Sequence, residues 1–372
     1  MRIACTSCAT DLIQATISGT SREEMPFFCW HAHVYTYNRR KILVLINDLT
    51  GFPVIFYRPR VNQLKNFNVV VDTAIREAFL TYGIKPEHID SYFNAAGPIV
   101  LDRKTSRRVL GHLTQWKYEL IARLDSYAVD PFIDKQLTQP IFACDVIPFC
   151  WTNYQHCKDL MIQGFRDILS VDENELLAIE SYELKLELKL NHHKVVRKIL
   201  LPASTTLNRL HNLIQLVFGW RDSHLHQFLL LPQGAPSIDS QAKVYIVNAA
   251  KPLEETLKGI NFPYMVDVST TIKEALSQQC DLWYEYDSGD GWQHKITLEK
   301  ISILPSSQYR LLDSIGVCPP DDIGGEIGYE EFTQIMTDEN HPCHADVKNW
   351  LMEQTKHRMS VDEINASLSS MF

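Results

Sequence analysis

Tyr284-Glu-Tyr-Asp-Ser-Gly-Asp-Gly-Trp-Gln-His-Lys-Ile-Thr-Leu-Glu299 gathers Glu285, Asp287, Asp290, Trp292 and His294 around one glycine-rich turn. Carboxylates and an imidazole at that spacing can hold a divalent cation or act as acid and base. If Ser288-Gly-Asp-Gly291 is the loop of a β-hairpin, Asp287 faces Trp292 and Glu285 faces His294. Side chains alternate along a strand, so the two acids then share a face with the tryptophan and the histidine. Glu285, Asp287 and His294 are on this ground the candidate catalytic groups. A structural cross-strand pair, with Asp290-Gly291 satisfying the turn, is the competing account.

Asp222-x-His224-x-His226 is a second cluster. In a strand all three side chains project from one face and offer two imidazoles and a carboxylate to one metal. With His294 they form the candidate metal set, and a divalent metal is the cofactor they would take. The alternative has Asp222 capping a turn and the histidines filling a polar seam beside Phe228. Cys318-Pro-Pro-Asp-Asp-Ile-Gly-Gly325 is a third. Its prolines stiffen the entry, its glycines allow unusual backbone angles, and Asp321 and Asp322 present paired carboxylates. It reads as a binding lip or as a clasp in which Tyr329 packs on a sheet. Cys5-x-x-Cys8 with Cys29, His31 and His33 carries a weaker zinc signal, because no second Cys pair has finger spacing.

The chain has 372 residues and a net charge of −9, distributed unevenly. Residues 1–125 hold 16 Lys and Arg against 11 Asp and Glu, a balance of +5; the remainder holds 20 against 34, a balance of −14. Arg39, Arg40 and Lys41, Arg58 and Arg60, and Arg103-Lys104 with Arg107 and Arg108 form three basic clusters, two of them beside Tyr35, Tyr37, Phe56 and Tyr57. Basic groups interleaved with aromatics can grip a single-stranded backbone and stack its bases. Solvated loop ends are the plainer reading. The acidic remainder is a poor phosphate binder. No apolar run approaches the length needed to span a bilayer, and the first residues lack the apolar core of a secretory signal. A cytoplasmic address with no membrane partner is expected. The nine cysteines are odd in number and scattered, which suits buried thiols rather than a disulfide framework. A nucleophile elbow, His-Glu-x-x-His, a Walker loop and a dinucleotide fingerprint are all missing.

Periodicity supplies the elements that must position these groups. Arg40–Asn47 is a β-branched apolar run, with Phe52–Tyr57 as its expected neighbour. Residues 66–82 carry apolar groups at helical spacing, a second helix follows Gly111, and 126–152 is a proline-broken packed connector leading to a closing helix at 154–169. Tyr182–Leu190 alternates apolar and charged residues, as a strand with one wet face does. Val195–Leu201 is the next strand. Ser204 or Thr205 caps a helix that ends at Gly219. A strand is expected from His224 onward, and Ser360-Val-Asp-Glu363 opens the last helix with a capping box.

Residues of about 180–370 resemble the plasmid pRiA4b ORF-3-like family. The resemblance rests on the Tyr182–Leu190 strand, Gly219-Trp-Arg-Asp-Ser-His-Leu-His-Gln-Phe228, Tyr284–Glu299, Cys318–Gly325 with Gly328-Tyr329, and His341-Pro342. The front part is similar to a smaller uncharacterised family found fused to it or alone, through Cys5-Thr6, Trp30-His-Ala32, Asn38–Lys41, Asn47–Thr50 and Val109–Gly111. The resemblance implies an α+β fold, with a mainly antiparallel sheet packed against helices in the rear part, and some relatives are labelled as passengers of insertion elements. It implies no catalytic residues. Many relatives have a further cysteine before Cys-Pro-Pro where Tyr309–Asp313 stands here, so a zinc site built on that pair is not expected.

The sequence thus predicts two α+β domains: 1–125, a connector with a closing helix over 126–175, and a rear domain over 176–372. The leading functional expectation is a non-enzymatic binding or adaptor protein that takes a peptide, protein or small ligand. Its groove would be lined by Trp220, Asp222, His224, His226, Asp290, Trp292, Asp321, Asp322 and Tyr329. A metal-dependent hydrolase or nucleic-acid-processing enzyme is the second expectation, and a nucleic-acid accessory protein using the basic front face is the third.

Overall fold

The computed structural model describes residues 1–14, 17, 25–37, 39–103, 109, 111, 113, 117, 157–238, 244–247, 264–267, 270–355 and 358–371. The expected connector at 126–152, most of the helix after Gly111, and Lys104, Arg107 and Arg108 lie outside them. The chain divides into two compact units, Met1–Ala178 and Ile179–Phe372. No helix among the described residues is long and apolar enough to cross a membrane.

The first unit is built on a five-stranded mixed sheet in the order β4-β3-β2-β1-β5. Its strands are β1 (Arg2–Cys5), β2 (Cys29–Tyr37), β3 (Arg40–Asn47), β4 (Pro53–Tyr57) and β5 (Val100–Asp102). β1 runs parallel to β2 and β5, and the other pairs are antiparallel. Both faces of β3 are buried, so its apolar residues run continuously rather than alternately. The helix Phe67–Thr81 and the helix Cys157–Leu169 bring Phe79 and Phe165 together edge-on at 5.5 Å, and Tyr92 packs on both.

The second unit carries an eight-stranded sheet in the order β10-β9-β8-β11-β12-β6-β7-β13. The strands are β6 (Ile179–Leu188), β7 (Val195–Pro202), β8 (His226–Leu231), β9 (Val244–Val247), β10 (Tyr264–Val266), β11 (Asp281–Tyr286), β12 (Trp292–Leu304) and β13 (Arg310–Ile315). Every pair but β9–β10 is antiparallel. Alternation in β6 buries Tyr182, Leu184, Leu186 and Leu188 on one face. The opposite face carries the ion pairs Lys185–Glu187, Lys198–Glu299 and Lys300–Glu183. The helix Leu207–Phe218 seats Leu207, Leu210, Ile214 and Phe218 in the core formed by the apolar face. Its N-cap is Thr206 rather than Ser204 or Thr205, with the Thr206 hydroxyl accepting from the Arg209 amide. Gly219 ends it at φ 77°. The last helix, Val361–Met371, grips β13 through Asn365, which bonds both backbone groups of Leu311. Both units are α+β.

The hairpin register differs from the expected one by a single residue. Tyr286 pairs with Trp292, Glu285 with Gln293 and Tyr284 with His294. Asp287 belongs to the loop: its backbone is left-handed at φ 53°, its amide donates to the Leu225 carbonyl, and its carbonyl accepts from Gly291. A loop of five residues rather than four slips the pairing by one, and a one-residue slip exchanges the faces. Leu282, Tyr284 and Tyr286 therefore turn inward with Trp292, His294 and Ile296, while Glu285 turns to the opposite face.

Candidate functional site

Two side-chain clusters emerge where loops meet one end of the rear sheet. The first centres on His211, which the helix Leu207–Phe218 carries into the core beside Gln215, one turn on. His211 Nε2 lies 2.9 Å from Asp222 Oδ1, and Nδ1 lies 2.8 Å from the Tyr284 hydroxyl. His226, at the first position of β8, stacks on His211 with ring centroids 3.5 Å apart and planes 9° apart. One ligand atom each from His211, Asp222 and His226 lies within 4.8 Å of the others. His226 Nε2 is also 3.8 Å from the buried carboxylate of Asp267.

Gln215 organises this cluster. Its Oε1 accepts from the Asp222 amide at 2.9 Å and its Nε2 donates to the Tyr284 hydroxyl at 3.0 Å. Tyr284 thereby fixes the His211 ring, the role that outer partners play around metal-binding imidazoles. Burial and the neighbouring His226 push the His211 pKa down to about 4, although Asp222 pulls it up. The ring is neutral at ordinary pH and has a lone pair to give. Burial keeps Tyr284 protonated by raising its pKa well above the ordinary value. The His211 side chain is 3% exposed and that of Asp222 55%, so the cluster opens to solvent through the carboxylate.

The second cluster joins His224, Asp287 and Asp322, whose ligand atoms also lie within 4.8 Å of one another. His224 Nε2 is 3.0 Å from Asp322 Oδ1 and 3.6 Å from Asp287 Oδ2. These residues come from the 220–224 loop, the hairpin turn and the 318–325 loop. Trp220 Nε1 donates to the Pro319 carbonyl, the Arg221 amide to Asp321 Oδ2, and the Gly324 amide to Asp290 Oδ2. Asp222, Asp287 and Asp322 all have left-handed backbones, at φ 56°, 53° and 61°. Aspartate tolerates that region better than most residues, and departures of this kind gather at functional sites.

Asp222, His224 and His226 do not share one face. The strand begins only at His226, and the left-handed turn at Asp222 sends His224 to the other cluster. His294 joins neither. It is fully buried against Phe218, Trp220 and Tyr284, no side chain bonds its ring, and burial drives its pKa down to about 3 against the pull of the Tyr284 and Trp292 backbone. Glu285 does not pair with it either, because it accepts from Gln227 on the opposite face. The expected metal set of Asp222, His224, His226 and His294 is thus divided, and the catalytic trio of Glu285, Asp287 and His294 is dispersed. Trp220 and Trp292 do not line a groove. Trp220 stacks on Phe218, Tyr286 and Trp292 inside the core. Tyr329 is buried, and its hydroxyl clasps the Val317 carbonyl.

Sequence reasoning passed over His211. Its signal was the pair His211 and Gln215 on the apolar side of an amphipathic helix, two polar groups where leucines would be ordinary.

In the first unit Arg39, Arg40 and Lys41 lie at the β2–β3 turn, and the Arg58 amide bonds the Lys41 carbonyl, so the register gathers them at one end of the sheet, with Arg60 two residues further on. Tyr35, Phe56 and Tyr57 beside them are buried and offer no face for stacking bases, while Tyr37 is half-buried. Cys5 and Cys29 are buried, burial raises the Cys5 thiol to about 12, and His33 bonds the Thr6 hydroxyl. Among the described residues, the metal-sized His, Cys, Asp and Glu groupings are the two in the rear unit.

Residues 180–366 match the family described as plasmid pRiA4b ORF-3-like protein, and residues 2–139 match a domain of unknown function, DUF6933. The chain is 30% identical over 170 residues to the uncharacterized protein y4hQ of Sinorhizobium fredii (strain NBRC 101917 / NGR234), covering 45% of this chain and 79% of that one. It is also similar to the crystal structure of MM3350, a protein of unknown function from Methanosarcina mazei Go1, at 27% identity and a TM-score of 0.39, over 46% of this chain and 90% of that one.

Proposed function

The chain belongs to the plasmid pRiA4b ORF-3-like family, and from the geometry of its rear unit we propose that it is a metal-dependent binding protein. His211, Asp222 and His226 hold a zinc-type divalent cation once the two stacked rings tilt apart, because parallel imidazoles cannot aim both lone pairs at one ion. One observation carries this reading: two imidazoles and a carboxylate from a helix, a loop and a strand converge within 4.8 Å. Two nitrogens and one oxygen suit zinc, and three protein ligands leave a fourth position for water or an incoming group. That open position takes an oxygen of the ligand, a carboxylate, carbonyl or phosphate. The binding groove is therefore the mouth beside Asp222, and the tryptophans are its foundation.

The His211 tautomer governs loading. With Nε2–H donated to Asp222, the site is closed by its own hydrogen bond. With the proton on Nδ1 and donated to Tyr284, Nε2 offers its lone pair to the cation. Tyr284 can serve either state because a phenolic hydroxyl both donates and accepts.

Elemental analysis and zinc titration of the full chain, purified without a histidine tag, test the reading. The wild type is expected to bind zinc at this seat. Asp222→Asn and His226→Gln are expected to weaken it at least about tenfold. Asparagine keeps the left-handed backbone, so Asp222→Asn is expected to fold, which circular dichroism of the metal-free protein checks. Zinc uptake that ignores both substitutions, or no uptake at all, refutes the assignment.

A further inference from the structure

We propose that His224, Asp287 and Asp322 form a second cation seat, oxygen-rich and of the manganese class, that fastens the 318–325 loop to the hairpin turn. The proposal shares no ligand with the site above and stands or falls separately.

The first support is convergence. Three loops far apart in sequence deliver an imidazole and two carboxylates to one spot, with His224 Nε2 3.0 Å and 3.6 Å from the nearer oxygens of Asp322 and Asp287. The second is unmet bonding. His224 Nε2 is enclosed 3.0 Å from Asp322 Oδ1, an ion-pair distance without hydrogen-bond alignment. Asp321, next in the chain to Asp322, is 7% exposed, and its Oδ1 is buried without a partner while Oδ2 takes the Arg221 amide. Buried polar atoms are almost always satisfied, and an exception calls for an occupant such as an ion. A cation here takes Nε2 of His224 with the carboxylates of Asp287 and Asp322, one residue along the chain from the orphaned oxygen of Asp321.

The third support is charge. Asp287 and Asp322 bring ligand oxygens within 4.8 Å of each other and of His224, Asp321 precedes Asp322 in the chain, and the Arg221 guanidinium donates to the Gln354 carbonyl. Carboxylates brought this close repel unless a positive charge lies among them. One nitrogen among oxygen donors favours manganese over zinc, since carboxylates suit the harder cations and paired imidazoles the softer. The clasp has work to do there. The loop's backbone already approaches the hairpin so closely that a Cβ on Gly325 would lie 2.7 Å from the Asp290 carbonyl oxygen.

Manganese binding by the full, tag-free chain, followed by electron paramagnetic resonance, tests the proposal together with limited proteolysis of the 318–325 loop. The wild type is expected to immobilise manganese and to gain protection of that loop. Asp322→Asn and His224→Gln each lose at least about tenfold in affinity, together with the protection. Asp222→Asn leaves manganese binding intact even where it abolishes zinc binding. The Asp322 side chain is 63% exposed, so its asparagine variant folds and keeps the test valid if His224→Gln does not. No immobilised manganese up to about 1 mM, the weak end of biological cation affinities, overturns the proposal, as does binding indifferent to Asp322→Asn.

Discussion

His211 and His294 show how one residue type acquires different roles from its surroundings. Both are buried and both are held neutral, yet His211 has polar side-chain partners on each side while rings enclose His294, with the Tyr284 and Trp292 backbones as its polar neighbours. Their pKa values fall from the ordinary 6.5 to about 4 and about 3. In the unfolded chain each takes up a proton as the pH falls below about 6.5, while the folded chain resists. The unfolded state thus binds more protons in that window, and stability falls as the pH falls, by at most one proton's worth for each group. The loss begins near pH 6.5 and ends once the folded ring itself protonates. Replacing His294 by leucine is expected to flatten the stability profile between pH 6 and pH 4 by up to one proton. Denaturant unfolding at several pH values measures this, and an unchanged slope would show that His294 titrates normally.

At the scale of elements, the hairpin decides which residues meet. The alternation of β11 and β12 was readable, and so was the turn between them. The register was not, because it depends on whether Asp287 joins the strand or the loop. Its left-handed backbone is held by the Leu225 carbonyl, a partner more than sixty residues earlier that no local rule anticipates. With the register set, Phe218, Tyr286 and Trp292 each stack on Trp220, each pair worth about 1 kcal/mol beyond its buried area. The 318–325 loop then closes over the turn. Gly291 and Gly325 both have positive φ, at 68° and 69°, but only Gly325 faces backbone within 4 Å. Gly325→Ala should therefore cost about 1–3 kcal/mol and Gly291→Ala near the lower end of that range. Urea titration of the two variants ranks them, and equal losses would mean that the loop does not press on Asp290.

For the whole molecule, the core of the rear unit runs from Tyr182 to Leu368 and draws all its members from that unit. Residues 179–372 produced alone are expected to fold, to unfold in one cooperative step, and to keep both cation seats. Loss of fold in that fragment would mean that its stability depends on the first unit. The alternating and β-branched runs, the capped helix ending at Gly219 and the α+β class were legible in the sequence, because each follows from the period of apolar residues along a short stretch. The acids and histidines of the two clusters were legible as well, His211 excepted, since polar groups around tight turns stand out and one on the apolar side of a helix does not. Their partners were not. His211 meets Asp222 and His226, and His224 meets Asp287 and Asp322, only because a helix docks on the sheet and three loops close over one end of it. Spacing along a chain fixes what neighbours share, whereas contacts between distant segments are fixed by packing, and there a single added loop residue can reverse every face.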